Sequence, residues 1–280
     1  MPHKTTDRFG GLVMGSSSPL IKKKPCVNRS NKRFFGVPPR SGRTDNSLFT
    51  RPDFLASEIL SRLNSSFDSS HALAVIAKAT GGDFYVFGGT VRKAILNENH
   101  SGDLDIIIEN GNDKIYEAFS RLGLVYTLNS KGHHRYQWNK LQIDVCQPIE
   151  FFSGYNDATE MLKNVDLKIN SVAFHFKTKN ILDPYSILKT NYCNPGINWN
   201  YWRSVNALNF AVASIRLARL LFDSPKLKLS TQDVNGLRKF VIPKLESIDW
   251  NLVISRFPEG REIFIKTLLS LIKDHSTTYF

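Results

Sequence analysis

The segment Tyr85-Val86-Phe87-Gly88-Gly89-Thr90-Val91-Arg92-Lys93-Ala94-Ile95-Leu96, followed by Asp103-Leu104-Asp105-Ile106-Ile107-Ile108, constrains this chain more than any other. It reads as an apolar strand, a double-glycine turn, a helix start, and then a strand with two carboxylates on one face. Alternate residues of a strand share a face, so Asp103 and Asp105 point together while Leu104 points into the core. Carboxylates held that close repel unless a cation sits between them. The usual occupant is Mg²⁺, which takes one or two carboxylates and keeps its other positions for water and substrate phosphates. Gly88-Gly89 lets the backbone approach a triphosphate closely, and the helix start beyond it favours an anion. The pattern implies metal-assisted chemistry on a nucleoside triphosphate.

Composition sets the limits around this motif. A chain of 280 residues that is 41% hydrophobic buries a sizeable core and forms one or two domains. The net charge of +12 makes a polyanionic partner plausible without distinguishing RNA from DNA or an acidic membrane surface. Cys26, Cys146 and Cys193 are widely spaced and form no CxxC pair, which argues against a disulfide framework or a structural zinc site. No apolar run approaches the roughly 20 residues of a membrane span. A cytoplasmic location is expected, or import into an organelle on the basic N-terminal arm.

That arm is residues 1–50. It carries Lys22-Lys23-Lys24-Pro25, Asn31-Lys32-Arg33 and Pro38-Pro39-Arg40, with only Asp7 and Asp45 acidic. It holds about ten basic residues, well over half of the net charge, and too little periodic apolar surface to offset its ordering entropy. Disorder is expected. A nucleic-acid-binding arm, a transit peptide and a plain solvated tail all fit its composition.

From residue 51 the chain alternates helical and strand patterns. Helices are expected at Phe54–Leu63, His71–Ala79, Val91–Leu96 and Lys114–Leu122. Strands are expected at Phe84–Phe87, Leu104–Glu109, Ile169–Phe176 and Asn180–Leu182, with a hairpin of Arg135–Trp138 and Leu141–Val145 turning at Asn139-Lys140. From Tyr201 the pattern is helical, Ala207–Phe222 being the longest amphipathic stretch. Asp233–Leu245 and Arg261–Lys273 read as packing helices. The class is α+β: a small mixed sheet at 51–195, then a helical body at 196–280.

Asp144 on the second hairpin strand adds a third carboxylate. A GG-x-V-R turn, a D-x-D strand and a later single acidic strand residue, in that order, resemble the head domain of class II tRNA nucleotidyltransferases and bacterial poly(A) polymerases, within the DNA polymerase β superfamily. The resemblance covers about residues 84–222 and implies a nucleotidyltransferase head. By it, Asp103, Asp105 and Asp144 are catalytic and hold two Mg²⁺ ions, or Mn²⁺. Gly88, Gly89, Thr90 and Arg92 meet the nucleotide. Asn164-Val165-Asp166-Leu167-Lys168-Ile169-Asn170 resembles the family's R-R-D-F-T-I-N block, with Asp166 and Asn170 retained as nucleotide-binding residues and both arginines replaced. Ile181-Leu182-Asp183-Pro184-Tyr185 resembles a structural turn of the family. Arg216 and Arg219, at i and i+3 on one helix, match its arginine helix.

The family's base-reading E-D-x-x-R element falls on Asn209, Phe210 and Ala213, so the carboxylates and arginine that read the base edge are replaced. The resemblance therefore implies a transferase without the usual choice of C and A. Trp199, Tyr201, Trp202 and Arg203 either stack bases or plug a junction, and the plug is the favoured reading. His133-His134 either touches phosphate or a metal or is a polar loop beside the hairpin, and the loop is the favoured reading. The expected function is template-independent transfer of a nucleotide from a nucleoside triphosphate to a hydroxyl acceptor, an RNA 3′ end such as that of tRNA, with no membrane partner. The alternatives are a transferase acting on protein, on a small molecule or on tRNA as a toxin, and a non-catalytic nucleotide- or RNA-binding relic of the fold.

Overall fold

The computed structural model describes residues 52–98, 103–110, 112–129, 132–150, 154–190, 193–245 and Ser270. The expectations for residues 1–50 and, apart from Ser270, for Arg261–Lys273 lie outside these.

Two helices come first, α1 (Pro52–Leu63) and α2 (Phe67–Thr80). Ser66 caps α2 by accepting from Ser69 N, and Gly81 closes it in the left-handed conformation at φ 67°. The strands and helices that follow are β1 (Tyr85–Phe87), α3 (Gly89–Ile95), β2 (Asp103–Ile107), α4 (Asn112–Ser120), β3 (Tyr126–Leu128), β4 (His134–Trp138) and β5 (Leu141–Cys146). Then come α5 (Ala158–Leu162), β6 (Ala173–His175), β7 (Ile181–Leu182), α6 (Ile187–Thr190), α7 (Trp199–Ser204), α8 (Ala207–Asp223) and α9 (Thr231–Leu245). The seven strands make one sheet in the order β3-β4-β5-β2-β1-β6-β7. β2 and β5 run parallel, and the other pairs are antiparallel.

Strand alternation separates the two faces. Leu104 and Ile106 of β2, Tyr136 and Trp138 of β4, and Leu141, Ile143 and Val145 of β5 join one apolar core with α1 to α4. On the opposite face, Ile107 and Cys146 pack under α5. Asp103, Asp105 and Asp144 share that face by the period of two. The β4–β5 turn is the expected Asn139-Lys140, with Asn139 at φ 53°, a conformation Asn tolerates better than most residues.

Three elements, β3, α5 and α6, are too short to leave a periodic signal. The strand expected over Ile169–Phe176 is shorter than its pattern: Lys168–Ser171 forms a 3-10 turn, and only Ala173–His175 joins the sheet. Tertiary partners override the alternation here. Lys168 N and Ile169 N donate to Gly196 O and Pro195 O at 2.7 and 3.0 Å, and Leu167 bridges Ile197.

The C-terminal helices share a core with the sheet domain. Leu96, Leu167 and Ile169 pack with Trp202, Phe210, Ala213 and Leu217. Trp202 is 1% exposed, and its indole N–H donates to Asp166 O at 3.0 Å. Trp199 donates to Asp233 at 3.1 Å, and its ring centroid lies 5.9 Å from that of Trp202 and 5.8 Å from that of Phe240. Trp199 and Trp202 thus form the expected aromatic plug. Among the described residues no helix is long and apolar enough to cross a membrane.

One packing contact reverses an ordinary rule. Gly236 lies within α9, where Ala in place of Gly normally adds about 1 kcal/mol. A Cβ there would overlap the six-membered ring of Trp199. Overpacking of this kind costs about 1–3 kcal/mol, so Gly236→Ala is expected to lower stability in urea denaturation. A stabilised variant would mean that the Trp199 ring is seated elsewhere.

Candidate active site

The site is built on a row of residues running across the sheet. Arg135 of β4 is the cross-strand partner of Asp144 on β5, Asp144 is the partner of Asp105 on β2, and Asp105 is the partner of Phe87 on β1. Neighbouring strands lie about 4.8 Å apart, so charges in adjacent places of such a row interact strongly. Asp103, two residues before Asp105, is exposed at the start of β2. All of these residues line one cleft of about 890 Å³, together with Gly88, Gly89, Arg92, Asp166, Asn170, Arg216 and Arg219.

Gly88 is required by Asp105. It stands at φ 67°, ψ −133° as the residue before α3, and a Cβ built on it would fall on the Asp105 carboxylate. Thr90 differs from expectation. Its side chain is 1% exposed, its hydroxyl donates to Asp103 O at 3.0 Å, and it does not line the cleft. It holds the D-x-D strand instead of facing a ligand.

The third carboxylate is already neutralised from within the chain. Arg135 grips Asp144 through Nε to Oδ1 at 2.7 Å and Nη2 to Oδ2 at 2.8 Å, and Asn129 Nδ2 donates to Oδ2 at 3.2 Å. The Arg135 guanidinium is held above its ordinary range by its hydrogen bonds to Asp144 despite partial burial, with Asp103 and Asp105 adding in the same direction. Among the described residues no three His, Cys, Asp or Glu side chains stand as a metal-holding group. Asp103 and Asp105 alone supply two hard oxygen donors on one strand face, which suits a Mg²⁺ that keeps water and phosphate in its remaining places.

The same cleft also carries a cationic wall built on Arg92 and Arg216. Arg92 Nη1 donates to Asn170 Oδ1 at 2.5 Å, and Asn170 Nδ2 donates to Asp166 Oδ1 at 3.3 Å. Arg216 Nη1 meets Asp166 Oδ2 at 3.4 Å. Burial pushes the Arg92 guanidinium below its usual range, against the pull of Asp166 and then Asp105. Burial also lowers Lys93 beside it, with Arg92 next in effect. Arg219 pairs with Asp223 at 3.4 Å, both side chains well exposed. The two replaced arginines leave Asn164 bonded to Glu160 O at 2.8 Å and Val165 as an apolar patch of the cleft.

Of the positions expected to read the base, none lines the cleft. Asn206 caps α8 by accepting from Asn209 N at 2.9 Å, and that start sets the helical phase. Phe210 and Ala213, each 1% exposed, then turn into the helical core. Their chemistry therefore says little about base choice. The cleft side of α8 is instead Arg216, Arg219, Leu220 and Asp223. His133 reaches the cleft as a buried side chain, while His134 stacks on Tyr126 with centroids 4.0 Å apart. The sequence reading missed Arg135, Asn129, Gln142, Lys93 and Lys226 as cleft residues. Arg135 could have been found: a two-residue turn at Asn139-Lys140 pairs Trp138 with Leu141 and, three steps on, Arg135 with Asp144.

No family model matches the chain, and neither does any curated protein compared by sequence. Solved structures do. A tRNA nucleotidyltransferase complexed with a primer tRNA and an incoming ATP analog superposes with a TM-score of 0.52 at 21% identity, over 71% of this chain and 59% of that one. A tRNA-processing enzyme in apo form superposes with a TM-score of 0.51 at 20% identity, over 74% and 56%. Another structure of a tRNA-processing enzyme gives a TM-score of 0.51 at 19% identity, over 72% and 57%. The chain spans between half and three-fifths of the length of these neighbours. What they share with it is a fold, the nucleotidyltransferase head followed by helices.

Two measurements check this geometry. Gly88→Ala is expected to cost at least about 2 kcal/mol, since backbone strain at such a φ alone is worth about 1–3 kcal/mol and Asp105 must also move. Denaturation of variant and parent reads this directly. Tyr201 borders the cleft, and burial, helped by Asp166 against Arg216, pushes its phenol up from 10.0 to about 12. Between those values the folded protein keeps a proton that the unfolded chain has lost. This contribution is complete below pH 10.0 and lost as pH rises through about 12. Phenolate absorbance of Tyr201→Phe should lack one late-titrating group; loss of an ordinary group instead would contradict the burial.

Proposed function

We propose that this protein is a nucleotidyltransferase that moves a nucleotide from a nucleoside triphosphate to a hydroxyl acceptor, with an RNA 3′ end as the acceptor class. The observation that carries the reading is the pairing, across one cleft, of the Asp103/Asp105 strand face with the Gly88-Gly89 turn and the Arg92–Asn170–Asp166–Arg216 network. Carboxylates and cations divide the cleft as a metal-bound triphosphate would need. The net charge of +12 and the tRNA-bound structural neighbour support RNA as the partner.

In the proposed reaction the acceptor oxygen bonds to the α-phosphorus. The bond from that phosphorus to the bridging oxygen breaks, pyrophosphate leaves, and the hydroxyl proton passes to solvent. Asp103 and Asp105 would hold the divalent cation, whose chemistry is Lewis-acid stabilisation of phosphoryl oxygens. Gly89 leaves room for phosphate against the backbone beside the Arg92 guanidinium, while the space beside Gly88 is taken by Asp105. Arg92, kept in place by Asn170, and Arg216, kept by Asp166, offset the triphosphate charge. Half-buried Lys93 and exposed Arg219 add positive charge to the cleft.

A second reading has its own support. Both Asp144 oxygens are engaged by Arg135 and Asn129, which fits a module that binds a nucleotide without transferring it. The two readings separate in one assay, with each labelled triphosphate, Mg²⁺ or Mn²⁺, and total RNA. Transfer of label to RNA is expected, and Asp103→Asn should slow it by about 100-fold or more, since a Lewis-acid metal supplies several kcal/mol. Transfer undiminished in Asp103→Asn/Asp105→Asn would remove the metal assignment. Triphosphate binding without transfer to RNA, protein or small molecules would establish the binding module.

A further inference from the structure

The surroundings of Asp144 are those of an anion satisfied by donors. Three N–H groups, from Arg135 Nε, Arg135 Nη2 and Asn129 Nδ2, reach its two oxygens within 3.2 Å. Asn129 is oriented for this purpose. Its Oδ1 accepts from His133 N at 3.1 Å, which leaves its NH₂ and not its carbonyl facing the carboxylate. Arg135 is held by the antiparallel register that makes it the direct partner of Asp144, so its grip does not depend on a chance surface rotamer. The pair is also partly sheltered, with side-chain exposures of 38% and 17%. A guanidinium keeps its charge at every accessible pH, and its planar fork matches a carboxylate in two places.

We propose that Arg135 is a built-in cation occupying the electrostatic role of a second divalent ion, so that the site takes up a single divalent ion, on Asp103 and Asp105. The inference rests on the nucleotidyltransferase reading of the cleft and narrows its metal requirement. Asp144 faces Asp105 across the parallel β2–β5 pair, and two unneutralised carboxylates there would repel. Arg135 removes that repulsion without metal. It also places a positive charge where a further cation would have to approach, and with Asn129 it fills three of the roughly four lone-pair sites of the carboxylate. Its influence reaches Asp103 and Asp105 as well, since both carboxylates favour its charged form. Arg135 acts through Asp144 and is a positioning residue.

Mn²⁺ binding to the full chain tests this without reference to activity. Free Mn²⁺ is followed by electron paramagnetic resonance in titrations of the parent, Arg135→Gln and Arg135→Lys, with folding checked by circular dichroism. The parent and Arg135→Lys should bind one ion per chain, abolished in the parent by Asp103→Asn. Arg135→Gln should bind two, the second at least about tenfold more tightly than any second site of the parent, as loss of a like charge at close range implies. Two ions on the parent, or one on folded Arg135→Gln, would overturn the inference and leave the proposed function standing. Binding to none of the proteins would overturn both. Should Arg135→Gln fail to fold, the parent's own stoichiometry still decides.

Discussion

Everything in this cleft depends on how one row of charges is neutralised. Asp105 and Asp144 face each other across a parallel pair of strands, a placement that carries a repulsive cost unless a cation is near. Arg135 supplies that cation from the next strand. The row then sets demands on its neighbours. Gly88 must lack a side chain because Asp105 fills the space beside it, and Thr90 must be buried because its hydroxyl holds the backbone of Asp103. The double glycine therefore shapes the site twice, by leaving the turn open and by making room for a carboxylate.

The helical part is tied to the same site by Asp166. Its carboxylate meets Asn170 and Arg216, and its carbonyl accepts from Trp202, so one residue joins the cationic wall to the buried plug. Arg92 is linked to this residue by hydrogen bonds through Asn170 and feels its charge directly. Arg92 and Arg216 are consequently each held by a polar partner within the protein. A site arranged this way has its charges in place before a ligand enters.

Much of this was legible in the sequence, and the failures have physical causes. The D-x-D strand, the double-glycine turn and the hairpin turn are local signals, and each forms where its residues indicate. The sequence resemblance to nucleotidyltransferase heads matches the fold that the solved structures share with the chain. The segment at Ile169 alternates like a strand yet coils as a 3-10 turn, because its amides find partners at Pro195 and Gly196, far along the chain. Phe210 and Ala213 look like positions that lost a function, but helical phase, set by the cap at Asn206, turns them into the core. Block matching gives order along the chain and does not give the direction of a side chain. Arg135 carries no local signal of its own, since a basic residue opposite an acidic one is also ordinary on an exposed hairpin.

The tight turn at Asn139-Lys140 has a consequence for how such a protein can diverge. Surface loops are normally the most permissive places for a chain to gain or lose a residue. A single inserted residue absorbed by re-registering β4 would turn Arg135 toward the helix-packed face and bring Tyr136 into the cleft, since one step reverses every side chain of a strand. A change of length should therefore be poorly tolerated at this exposed turn, although the turn does not line the cleft. The hairpin works as a reading frame for the charge row.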